Sequence, residues 1–215
     1  MNGAESLVRS LLASNVDVCF TNPGTSEMHF CAALDQVDGM RCVLCLFEGV
    51  VTGAADGYGR MLDRPAATLL HLGPGLGNGL ANLHNARKAN TPIVNIVGEH
   101  ATYHVEYDAP LTADIEGIAR PVSDWVRTSR SADDIGNDAV AAVNASMKPP
   151  GGISTLILPA DTAWTQTASV ADPLGVQVAS CVSDEVIEAC ANVLKLNEPT
   201  MLVVGGKGLR ADALA

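Results

Sequence analysis

Residues 41–75 read RCVLCLFEGVVTGAADGYGRMLDRPAATLLHLGPG, and this stretch decides the fold. Residues 41–47 form a nearly continuous apolar run. Residues 48–62 are rich in Gly, Ala and Val at helical spacing. A second apolar run follows at 66–72, and Gly73-Pro74-Gly75 turns the chain. Two strands apolar on both faces, joined by a helix, are the repeat of a parallel sheet covered on both sides. The alternation continues outward. Leu7, Val8, Leu11 and Leu12 mark a helix over 5–14, and a short β-rich run at 16–20 stops at Asn22-Pro23-Gly24, a strong turn signal. Helices are predicted over 27–34, 77–89 and 133–147, and strands over 92–98 and 153–158. The fold class is α/β, a parallel sheet flanked by helices on both faces.

Composition narrows the class. The 215 residues carry a net charge of −11, so phosphate backbones and anionic membranes are repelled and neither nucleic acid nor membrane is an expected partner. No apolar run reaches the ~18 residues of a spanning helix. Residues 1–5 lack the basic and apolar regions of a signal peptide, which points to the cytoplasm. Of six cysteines, Cys42 and Cys45 have CxxC spacing. Their apolar surroundings favour small buried hydrophobes over a metal or redox pair, and no second CxxC or His pair completes a zinc site.

In a parallel sheet, sites form beyond the carboxyl ends of the strands. Residues 21–26, Glu48, residues 71–78 and Glu99-His100 all fall there, so four segments converge on one edge. Glu48 opens a helix directly after an apolar run. An acidic residue there stabilises a helix N-terminus. Equally, a carboxyl set among Leu46, Phe47, Val50 and Val51 is tuned for proton exchange by burial. The turn Gly73-Pro74-Gly75-Leu76-Gly77-Asn78-Gly79 either lets backbone approach a ligand or packs a helix tightly on the sheet. His71 ends a strand, His84 lies on a helix surface, and Asp56 reads as a structural hydrogen-bonding residue. His100 and His104 have metal-compatible spacing only if helical, which the sequence between them does not favour. There is no Gly-x-Ser-x-Gly elbow and no P-loop.

The segments at residues 20–27 (FTNPGTSE), 47–60 (FEGVVTGAADGYGR), 73–78 (GPGLGN) and 89–94 (ANTPIV) come in an order that resembles the N-terminal pyrimidine-binding domain of thiamine-diphosphate enzymes. Acetolactate synthase large subunits and benzoylformate decarboxylase are the members it looks most like. The resemblance implies thiamine diphosphate as cofactor and a 2-oxo acid as substrate. It implies decarboxylation with carboligation as in acetolactate synthases or, alternatively, non-ligating decarboxylation as in benzoylformate decarboxylase. Glu48 matches the Glu that bonds the cofactor's pyrimidine ring. Pro23, Gly24, Gly73, Gly75 and Asn78 fall at cofactor-lining positions, and Thr25 and His71 at substrate-contacting ones, His71 also as a catalytic residue. In the family Mg2+ and the diphosphate are held by a C-terminal domain, so no metal ligand is assigned here. Sites shared between subunits imply a homodimer or homotetramer.

Some positions depart from the acetolactate synthase pattern. Phe47 stands where His usually precedes the Glu, Thr21 where Gly usually precedes Asn-Pro-Gly, and His71 where a hydroxyl residue is usual. These keep a catalytically silent regulatory or structural paralogue as a further alternative. The resemblance covers residues 1–165. Residues 166–182 read as a linker, and 183–215 (a helix over 184–196, a strand over 200–205) as the truncated start of a second α/β domain. The chain is expected to be an N-terminal fragment, inactive by itself.

Overall fold

Three apolar runs become the centre of the sheet. In the computed structural model, which describes residues 1–175 and 177–214, β3 (Ala66–Leu70) and β6 (Ile153–Pro159) are buried at every residue, and β4 (Ile93–Glu99) at all but its last. With β1 (Val18–Asn22), β2 (Arg41–Leu44) and β5 (Trp125–Thr128) they form one six-stranded sheet in the order β2-β1-β3-β4-β6-β5, parallel throughout. Helices α1 (Gly3–Ala13), α2 (Met28–Gln36) and α6 (Ile135–Met147) contribute to a core that includes Leu7, Leu11, Phe30 and Ile135 on one face. Helices α3 (Glu48–Leu62), α4 (Leu72–Lys88) and α5 (Ile115–Ala119) contribute to a second core with Val51, Leu76, Leu83 and Ile115 on the other. This is the predicted fold class.

Local chemistry supports each element. Asn2 caps α1 by accepting from the Glu5 N–H at 2.9 Å, satisfying one orphan donor of the first turn. Most polar residues inside the sheet are paired. Thr68 donates to Asn95 (2.9 Å), Asn95 donates to Thr155 (3.2 Å), and Ser123 and Thr155 share a bond of 2.7 Å, so these buried groups are satisfied, whereas the Thr21 hydroxyl on β1 has no partner among the described residues.

The first strand leads through α2 to β2 on one side of it, whereas β3 lies on its other side. The crevice between the ends of β1 and β3 is therefore a topological switch point, where open α/β sheets bind ligands.

Four expectations need correction. The apolar run at 41–47 is not a buried strand. Only Arg41–Leu44 pairs, as an edge strand with Leu44 66% exposed, so Cys42 is exposed while Cys45 is buried, and both are free thiols. The Gly-rich segment 73–79 is not a turn, for α4 already begins at Leu72. Residues 25–27 form a single 3-10 turn before α2, which starts at Met28. Residues 200–205 form no strand.

The chain divides into a first unit, Met1–Gln177, and a second beginning at Val178. Residues 167–175 are tied to the first unit. The Thr167 N–H donates to Met1 O at 3.0 Å, the Ala171 N–H to Ser10 Oγ at 3.2 Å, and Asn144 donates to Gly175 O at 3.0 Å. The second unit carries α8 (Asp184–Leu194), none of whose residues is buried. Among the described residues, no helix is long and apolar enough to cross a membrane.

Candidate active site

All four predicted segments lie at the carboxyl edge of the sheet; Glu27 joins the turn after β1, the end of β3 and the end of β4, and Glu48 meets them through α4. The Glu27 side chain is completely buried. Oε2 accepts from the Gly24 N–H at 2.7 Å and lies 2.8 Å from His71 Nδ1. This joins the turn after β1 to the end of β3. Oε1 has no hydrogen-bond partner and presses against Gly98 near the end of β4. A Cβ at Gly98 would come within 2.5 Å of Glu27 Cδ and closer still to Oε1. Sequence reasoning treated Glu27 only as the start of a helix. The available signal was its place three residues after Gly24, the spacing at which a carboxylate reaches back to a turn N–H. Its other partner lies 44 residues away, beyond the reach of any local pattern.

Burial pushes the Glu99 carboxyl above its ordinary range. The Glu27 carboxylate pushes the same way, and the bond from the His100 N–H to Glu99 Oε1 (2.7 Å) opposes both. The edge thus concentrates carboxyl groups with little compensating positive charge, an arrangement costly enough to suggest use rather than support.

His71 is the residue before α4 and accepts through its carbonyl from the Gly75 N–H at 2.8 Å. The following residue, Leu72, has φ +52° and is fully buried. A left-handed leucine costs about 1–3 kcal/mol, and such strain gathers at functional sites. Here its side chain fills the core around α3 and α4 while the backbone turns sharply beside His71. The imidazole packs on Gly24, where a Cβ would collide with Nδ1 and Cε1.

Glu48 is the first residue of α3 and is half-buried. Asn78, on α4, donates to its Oε2 at 3.0 Å. Oε1 takes no hydrogen bond among the described residues and faces Gly75. A Cβ there would lie 3.3 Å from Glu48 Oε1 and 3.5 Å from His71 Cβ. Gly75 thus keeps open the space on which Glu48 and His71 converge. The helices carrying them are locked together by Thr52, which donates to Gly79 O at 3.0 Å, and by Asn82, which donates to Gly49 O at 2.6 Å.

The expected apolar enclosure of Glu48 is not built by these residues. Val51 is buried, but Leu46 is 92% exposed, and Phe47 and Val50 also face outward. Pro23 and Gly24 are partly exposed, and Thr25 is exposed on the 3-10 turn. Gly73 lies elsewhere. A Cβ on it would collide with Ala113, so it is the packing reading that its position supports. His84 is exposed, and Asp56 accepts from Arg60 and Thr91 (2.8 and 2.7 Å). The His100 and His104 rings lie tilted to each other with centroids 5.5 Å apart, on a non-helical segment. Among the described residues, no group of three or more His, Cys, Asp or Glu is arranged to hold a metal ion.

A partly exposed carboxylate with one free oxygen, set across a glycine-lined gap from an imidazole, can hold a nitrogen heterocycle by hydrogen bonding and exchange a proton with it. Known proteins carry the same framework. The sequence profile of the thiamine pyrophosphate enzymes' N-terminal TPP binding domain matches residues 1–118. A Mycobacterium tuberculosis protein provisionally named acetolactate synthase large subunit IlvX is 56% identical over 214 residues, covering 100% of this chain and 41% of that protein. The benzoylformate decarboxylase of Pseudomonas aeruginosa is 32% identical over 182 residues, covering 83% of this chain and 33% of its own length. The crystal structure of benzoylformate decarboxylase from Polynucleobacter necessarius superposes with a TM-score of 0.82 at 25% identity, over 91% of this chain and 37% of that one. The chain thus spans between a third and two-fifths of the length of these relatives.

Proposed function

The chain belongs to the thiamine pyrophosphate enzyme family, and on that premise we propose that it is the cofactor-activating N-terminal part of an acetolactate synthase-like enzyme. That enzyme decarboxylates a 2-oxo acid and joins the resulting acyl group to a second carbonyl compound. The observation that carries the proposal is Glu48, with Oε2 fixed by Asn78 and Oε1 left free over Gly75. These residues fit the aminopyrimidine end of thiamine diphosphate. One oxygen is anchored, one is available, and the glycine leaves room that a Cβ would occupy.

Thiamine diphosphate, when bound, supplies the electron sink that makes loss of CO2 from a 2-oxo acid feasible. The chain's own residues supply positioning and proton transfer. Glu48 Oε1 holds a proton at the pyrimidine ring and takes it back. Asn78 keeps the carboxyl oriented for this. Pro23, Gly24 and Gly75 would offer backbone surface to hold the ring. Thr25 and His71 border the space for the reacting carbonyl, with His71 as a proton-transfer residue. Gly73 acts through packing of the α4 start. Mg2+ and the diphosphate are assigned to a C-terminal domain outside these 215 residues. Residues 1–165 are the pyrimidine-binding domain, 166–182 the linker and 183–215 the start of the central domain.

Leu46, Phe47 and Val50 leave apolar surface beside Glu48. This supports a homodimer or homotetramer in which a second subunit closes the site. By itself the chain is inactive in this account, and the enzyme is cytoplasmic. The pairing of His71 with a buried carboxylate favours a second reading, a non-ligating decarboxylase like the benzoylformate enzymes. Incubating the full-length protein with thiamine diphosphate, Mg2+ and either pyruvate or benzoylformate separates the two. Acetolactate from pyruvate supports the synthase, and benzaldehyde from benzoylformate supports the decarboxylase. Failure to bind the cofactor at all would overturn both and leave a silent paralogue.

A further inference from the structure

We propose that Glu27 is the positioning residue for His71, holding the neutral imidazole in its Nδ1–H tautomer so that Nε2 is the proton acceptor offered to the site. An ionised carboxylate only accepts hydrogen bonds. Glu27 Oε2, at 2.8 Å from Nδ1, therefore requires the proton on Nδ1, and the tautomer follows from which nitrogen is engaged. The arrangement is over-determined. Oε2 is also held by the Gly24 N–H at 2.7 Å. The imidazole lies on the space that a side chain at Gly24 would fill, and the carboxyl lies on the space that one at Gly98 would fill. Two glycines, one after β1 and one in β4, make room for one carboxylate–imidazole pair. The Glu27 side chain is fully buried and that of His71 is 22% exposed, so the carboxylate is screened from solvent while the ring reaches it. A buried carboxylate with a single imidazole partner and an orphan Oε1 is costly as mere support.

The tautomer follows from the Nδ1 pairing with a carboxylate acceptor. Its use in catalysis rests on the proposed thiamine-dependent reading. In Glu27→Leu the acceptor that holds Nδ1–H is gone and the imidazole is released to the Nε2–H form, whereas in Glu27→Gln the amide oxygen at the Oε2 position can accept from both the Gly24 N–H and Nδ1–H and so keeps the native tautomer. A wrong tautomer in an intact site removes the proton acceptor.

The first readout needs no substrate. The chain has five histidines, and the His71→Ala variant identifies the His71 signals in 15N-histidine spectra. At alkaline pH, His71 is expected as the Nδ1–H tautomer in the native chain and in Glu27→Gln, and as Nε2–H in Glu27→Leu, with all three proteins melting as folded. An Nε2–H tautomer in the native chain, or an unchanged tautomer in Glu27→Leu, overturns the proposal. The second readout uses the full-length enzyme on whichever 2-oxo acid it turns over. Glu27→Leu is expected to lower kcat by about 100-fold without raising KM, with Glu27→Gln keeping most of the activity, and Glu27→Leu is expected to have no further effect in a His71→Ala background. An equal loss in that background would mean that Glu27 does not act through His71. If no 2-oxo acid is turned over, the functional reading fails, while the spectra still decide the tautomer.

Discussion

The substitution Gly98→Ala adds one methyl group beneath the buried carboxylate, and its cost can be worked out. The new Cβ would stand 2.5 Å from Glu27 Cδ and 2.8 Å from Cγ, where carbon atoms settle at about 3.5–4.0 Å. Gly98 sits within the paired register of β4 with β6, so its backbone cannot yield and the carboxyl must retreat by about 1 Å. A displacement of that size carries bonds now 2.7 and 2.8 Å long past hydrogen-bonding range. Two bonds to an ionised group contribute about 1.5–3 kcal/mol each, so we expect a loss of about 3–6 kcal/mol. For a unit of this size that is a fall in Tm of roughly 6–24 °C. Urea unfolding of Gly98→Ala, Glu27→Ala and the double variant reads the coupling directly. Once the Glu27 side chain is gone, the added methyl group has room, and its further cost should drop below about 1 kcal/mol. A Gly98→Ala variant as stable as the native chain, or one equally costly with and without the Glu27 side chain, would refute the reasoning.

Two other outcomes are expected. Gly57 is exposed on α3 with open space where a Cβ would project, so Gly57→Ala should raise stability by about 0.5–1 kcal/mol in urea unfolding; a loss would mean that this face is already occupied. The Glu99 carboxyl is raised by burial and by Glu27, so its contribution to stability is fully present below the ordinary glutamate range and is lost as pH climbs through the raised value. Glu99→Gln should therefore be more stable than the native chain at neutral pH and equal to it in acid, as followed by thermal melts across pH; a variant less stable at neutral pH would reverse the sign.

The sheet was legible because β3, β4 and β6 are mostly apolar without a polar alternation, and only burial on both faces calls for that. The same logic misjudged residues 41–47. Their composition is that of a buried strand, but Leu44, Leu46 and Phe47 are exposed in this chain, and sequence cannot separate a surface covered by its own helices from one left uncovered. Residues 73–79 were misread for a different reason. Intrinsic propensity puts four glycines in a loop, whereas close packing of Gly73 on Ala113, Gly79 on Thr52 and Gly75 beside Glu48 makes three of them the condition for the helix to pack there. The convergence of four segments followed from topology alone. The carboxylate that joins three of them did not, since Glu27 and His71 meet only after β1 and β3 pair.

The central claim, that Glu48 activates the cofactor, is tested most directly by hydrogen–deuterium exchange at the thiazolium C2 position of thiamine diphosphate bound to the full-length protein, native against Glu48→Gln. The account predicts fast exchange in the native protein and exchange slowed by about 100-fold or more in the variant, with the cofactor still bound and the fold intact. Equal exchange rates in the two proteins would contradict it.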